Sequence, residues 1–111
     1  MKLSVLERLT LIRIIPAPEK GSFLTHKIFY DLVNALSLSE EEFEEFGIKQ
    51  VGEQITWNVA GNIGREIKIG KKAMELIVKP LKEFIQISDK ENNIEQVHVG
   101  LHEKFIENKS K

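Results

Sequence analysis

The sequence predicts an α+β fold, mostly helical, in a single domain. Two observations carry this. Apolar residues recur at three- and four-residue spacing from Val5 to Phe46 and again from Ala73 to Phe105, as buried helix faces require. Between them, from Ile48 to Ile69, short apolar–polar alternation is broken by glycines, as in a hairpin. A length of 111 residues supports one core rather than two. The expected layout is helix, helix, short helix and hairpin over 4–70, then C-terminal helices over 71–107.

Ser4 followed by Glu7 is a capping box, which opens a first helix from about Val5 to Ile15. Val5, Leu6, Leu9 and Ile12 form its stripe, widened by Leu3, Leu11 and Ile14. Pro16 and Pro18 end it, because proline lacks the N–H and restricts the residue before it. Ser22 or Thr25 caps a second helix to about Leu36, with Leu24, Ile28, Leu32 and Leu36 facing inward. Ser39 and Glu42 repeat the capping box and open a short third helix to Phe46. Phe43 and Phe46 are read as its anchors and Gly47 as its stop.

Ile48–Val51 and Gln54–Val59 read as the two arms of a hairpin, and Ile55, Trp57 and Val59 as its buried face. Arg65–Ile69 alternates again and reads as a further strand. A helix follows from about Lys71 to Gln86, and Pro80 predicts a kink or a division near Val78. Ser88–Asn93 reads as a polar loop. A last helix runs from about Ile94 to Glu107, with Val97, Leu101 and Phe105 inward.

Composition narrows function more than it assigns it. The chain has 16 basic and 17 acidic residues, a net charge of −1, so no overall basic field gathers nucleic acid or acidic lipid. The absence of cysteine removes disulfides and thiolate metal sites. Charges interrupt the N-terminal apolar run, which is not the pattern of a signal peptide, and no apolar stretch has the length of a membrane span. The expected location is the cytoplasm.

Charge is segregated along the chain. Glu40, Glu41, Glu42, Glu44 and Glu45 crowd the third helix, where acidic residues favour the positive end of the helix dipole. Residues 65–82 carry six basic residues (Arg65, Lys68, Lys71, Lys72, Lys79, Lys82) against Glu66 and Glu75, a local +4. The candidate protein-binding residues are therefore Glu40, Glu41, Glu44 and Glu45 on one side, and Arg65, Lys68, Lys71 and Lys72 on the other. A solvated helix face explains the same acidic run, and edge protection of a strand explains Lys68.

His98 and His102 stand four apart on the last helix, a spacing that permits zinc. Val99 follows His98 where a metalloprotease helix has glutamate, and a third ligand would have to come from elsewhere, such as His26. No metal or other cofactor is expected. Gly70-Lys71-Lys72 lacks the spacing of a phosphate loop, and no nucleophile elbow or paired-carboxylate motif is present, so an enzyme is not expected.

The element order, with Leu36-Ser37-Leu38-Ser39-Glu40-Glu41-Glu42 at the junction of second and third helices, resembles a winged-helix arrangement with a helical extension. That resemblance implies nucleic-acid binding, yet acidic side chains on the third helix repel phosphate in a major groove. It leaves DNA contact to the hairpin, through Lys49, Arg65 and Lys68. A small α+β domain with a hairpin packed on a helical layer is the other fold expected.

The chain also resembles small uncharacterised proteins encoded by bacterial viruses and prophages. The resemblance lies in residues 1–9, Ile55-Thr56-Trp57-Asn58, residues 65–70 and Leu101-His102-Glu103-Lys104-Phe105. It implies an origin and a size class and transfers no active-site residue. The function expected from the sequence is a non-enzymatic protein that binds another protein or its own copy, with a DNA-binding regulator as the alternative.

Overall fold

The computed structural model describes residues 1–107. The chain forms β1 (Lys2–Leu3), α1 (Val5–Ile14), α2 (Phe23–Leu36), α3 (Glu40–Glu45), β2 (Lys49–Val51), β3 (Gln54–Thr56), β4 (Arg65–Glu66), α4 (Lys71–Lys90) and α5 (Gln96–His102). The fold is α+β and mostly helical. β2 and β3 make one antiparallel pair, β1 and β4 a second. α1, α2 and α4 pack on one another, and α5 closes against α1 and α4. Leu11, Leu32, Leu36, Ile77, Leu81, Leu101 and Phe105 are central members of the shared core.

The capping signals act as their chemistry requires. Ser4 and Ser39 each accept the N–H three residues on, and Glu7 and Glu42 reach back to the cap N–H groups. α3 stops at Gly47, whose φ is +58°. There the Ile48 N–H reaches Phe43 O at 3.0 Å and the Gly47 N–H reaches Glu44 O at 3.2 Å. This paired closure consumes carbonyls that the helix end leaves open.

Several elements depart from expectation, each for a local reason. Residues 65–69 were expected as one strand, but only Arg65–Glu66 is strand, and its partner is β1 rather than the hairpin. A two-residue strand ahead of α1 gives no readable alternation. Ile55, Trp57 and Val59 do not make a buried face. The strand ends at Thr56, and Asn58 turns the chain by accepting the Ala60 N–H while its own N–H bonds Phe46 O. Val59 is thereby thrown outward, 79% exposed; Ile55 is exposed and Trp57 half-buried.

Phe46 is buried, but Phe43 faces out at 47% exposure. Leu24 lies in the first turn of α2 and is exposed, so Phe29, Leu32 and Leu36 form that helix's buried set. α4 runs through Pro80 as a single helix and continues to Lys90. Its end is set by Asn92 at φ +58°, with Asn93 N–H to Ser88 O at 2.7 Å and Asn92 N–H to Asp89 O at 3.1 Å. Asparagine replaces the glycine usual at this left-handed position. The last helix starts later than expected and is short: α5 ends at His102 and widens into a π-type turn over Glu103–Glu107.

Candidate functional site

The acidic helix is held by an arginine that the apolar pattern of α1 conceals. Arg8 is 2% exposed. Its Nη1 donates to Glu42 Oε2 at 2.7 Å and its Nη2 to Glu42 Oε1 at 3.1 Å. Nε donates to Leu36 O at 2.9 Å and Nη2 also to Ser37 O at 2.7 Å. One guanidinium thus caps the end of α2 and anchors the start of α3. The planar fork of arginine suits this better than a lysine ammonium. The Arg8 hydrogen bonds are the main cause that lowers the Glu42 carboxyl to about 2; burial opposes them, and the Ser39 N–H and the charges of Arg8 and Arg65 add to them.

Arg65, from β4, reaches the same corner. Its Nη2 donates to the Glu45 carboxylate, Nε lies 3.9 Å from Glu42 Oε2, and the guanidinium carbon sits 5.1 Å from the centre of the Phe46 ring. Two residues assigned from the sequence to opposite binding patches, Glu45 and Arg65, therefore pair within the chain. Glu40, Glu41 and Glu44 are exposed, and none forms an ion pair among the described residues. The same holds for Lys49, Lys68, Lys71 and Lys72. Phe43 stands exposed among the three free glutamates.

A second buried charge sits beside Arg8 on α1. Glu7 accepts from Lys104 Nζ at 2.7 Å, and the same ammonium donates to Lys2 O at 2.9 Å. This links β1, α1 and the turn after α5. Arg8 was legible only as an interruption of the apolar run, and Glu7 only as the capping-box partner of Ser4. Their signal is position: both fall on the helix face that carries Val5 and Leu11 inward.

The histidines do not converge. His98 is buried, its Nδ1 accepts the Glu95 N–H at 3.0 Å, and its ring stands edge-on to Phe84 at 5.0 Å. The residue works as a cap reaching back to the helix start rather than as half of a zinc pair with His102. His102 Nδ1 lies 3.1 Å from Glu107 Oε1. Among the described residues, no group of three or more His, Cys, Asp or Glu side chains is arranged to hold a metal ion. No described helix is long and apolar enough to cross a membrane.

Comparison with known protein families, curated proteins and solved structures finds no match for this chain.

Proposed function

We propose that this chain is a non-enzymatic binding protein whose partner is a protein, and that α3 presents the contact. The observation that carries the reading is the pattern of pairing at the α3 corner. Glu42 and Glu45 are consumed by Arg8 and Arg65, which fix the helix, while Glu40, Glu41 and Glu44 have no ion-pair partner among the described residues and surround exposed Phe43. A rigid acidic surface with one aromatic side chain fits a basic partner surface, where charge sets orientation and on-rate. A second copy offers such a surface in Lys68, Lys71 and Lys72.

The DNA-contact reading is weaker because Arg65, one of its three residues, is held by Glu45. Light scattering across a salt series tests the proposal. Self-association should weaken steeply between low and physiological ionic strength, since exposed charges are screened over about 8 Å there. Glu40→Gln/Glu41→Gln/Glu44→Gln should abolish it. A mass independent of salt would overturn the self-pairing. Binding to duplex DNA at low salt that is lost in Lys49→Gln/Lys68→Gln would favour the hairpin instead.

A further inference from the structure

The outer side of α4 carries Lys71, Glu75, Lys79 and Glu83 at four-residue spacing, and all four are exposed. Residues four apart lie in one row along a helix. The row therefore alternates positive, negative, positive, negative over about 18 Å. Neighbours within it have the spacing of an intrahelical ion pair, yet none of the three pairs forms among the described residues. The row is also a ridge. A hollow of about 500 Å³, with half-buried Met74 and Val78 in its wall, lies along one side. A smaller hollow of about 160 Å³, walled by Pro16, Pro18 and Pro80, lies along the other, and Glu75 and Lys79 border both.

We propose that two copies of this chain pair through the row, α4 against α4 in antiparallel sense about a two-fold axis. Reversed, the row reads negative, positive, negative, positive, so each charge meets its opposite. Lys71 faces the partner subunit's Glu83, and Glu75 faces the partner subunit's Lys79, each contact occurring twice by symmetry. An in-register parallel pairing would set like charge against like. Rows of this spacing align in the commonest class of helix crossing, ridge into groove. That crossing seats each ridge in the other copy's hollow and covers Met74 and Val78. The pairing does not rest on the α3 reading. It is isologous and closes at two copies, whereas α3 set on another copy's lysines is a heterologous contact. Lys68 and Lys72 lie off the row and stay available to α3.

Sedimentation equilibrium of the full chain at low ionic strength tests the pairing. A contact one helix wide is smaller than a standard interface, so a dissociation constant of about 0.1 mM is expected, and loading extends to about 1 mM. Glu75→Lys/Glu83→Lys makes the row uniformly basic and should weaken the dimer at least about tenfold. Lys71→Glu/Lys79→Glu makes it uniformly acidic and should do the same, and an equimolar mixture of the two variants should restore a dimer. The fourfold exchange Lys71→Glu/Glu75→Lys/Lys79→Glu/Glu83→Lys inverts every sign but keeps the order complementary, so it should dimerise as the wild type does. Thermal midpoints should hold throughout, since lysine and glutamate have similar helix propensity. In Glu40→Gln/Glu41→Gln/Glu44→Gln, association through α3 is gone, and the dimer that persists near the top of the concentration range is the row's. A monomer at every concentration would overturn the proposal. So would a dimer unchanged in the uniformly basic variant, or a folded fourfold variant that stays monomeric. A dimer lost in the α3 variant but kept in the uniformly basic one would assign association to α3 alone and overturn the row pairing.

Discussion

Replacing Arg8 with methionine is the sharpest perturbation of this fold. The substitution keeps an unbranched apolar stem in the helix but removes a guanidinium that makes four hydrogen bonds. Two of these are to carbonyls at the end of α2, where no following turn supplies a donor. The other two neutralise Glu42, which is 8% exposed. Breaking a buried pair from one side costs about 3–5 kcal/mol, because the surviving charge is left without a partner. Against a usual domain stability of about 5–15 kcal/mol, that is about a fifth or more of the total. Urea unfolding followed by far-UV dichroism and by Trp57 fluorescence measures the loss. Arg8→Met/Glu42→Met should regain part of it, by removing the stranded carboxylate, but not all, since Leu36 O and Ser37 O still lack donors. A loss below about 1 kcal/mol in the single variant would refute the reasoning, because it would place the pair among solvent-screened ones.

The lowered Glu42 carboxyl makes stability depend on pH. Its folded value, about 2, lies below its ordinary 4.5, so the contribution is complete above pH 4.5 and is lost as pH falls toward 2. The stability difference between wild type and Glu42→Gln should shrink by about 3 kcal/mol over that window; a parallel pair of pH curves in chemical denaturation would contradict it. Gly61→Ala places a methyl 2.6 Å from Trp57 Cδ1. A cost of about 1–3 kcal/mol with a shifted Trp57 emission is expected, and an unshifted, wild-type-like melt would show that the indole can move aside freely. At Asn92, φ +58° penalises a Cβ without asparagine's local polar compensation. Asn92→Ala should cost about 1 kcal/mol and Asn92→Gly nothing or less, and equal melting of the two would argue against a left-handed cap.

The fold class and the helix starts were legible because they are written in short-range chemistry. Ser4 with Glu7 and Ser39 with Glu42 each specify a turn within four residues, and Gly47 specifies a stop. What the sequence concealed depends on distant partners. Arg8 reads as an exposed interruption until residues 36–42 arrive beside it. Leu3 reads as part of the first helix's stripe until Arg65–Glu66 pairs with Lys2–Leu3. The hairpin misled for the opposite reason: alternation at Ile55, Trp57 and Val59 is a sound strand signal, overruled by the side chain of Asn58 one residue before the last of them. At the candidate site the segregation of charge was visible along the chain. The internal pairing of Glu45 with Arg65 was not, since nothing local relates residues twenty apart.

The joining of β1 to β4 also bears on how the chain reaches this fold. Arg8 and Glu42 are 34 positions apart, whereas Lys2 pairs with Glu66 across more than half of the chain. Closing the longer loop costs only about 0.6 kcal/mol more per doubling of length. The order of events then follows from which contacts gain most early, and the Arg8 corner is expected to precede the strand closure. Weakening the closure with Leu3→Ala should hasten unfolding and leave the refolding rate nearly unchanged, while Arg8→Met should slow refolding itself. β1 and α1 would thus govern different rates: residue 8 in the helix entry to the native state, residue 3 in the strand escape from it.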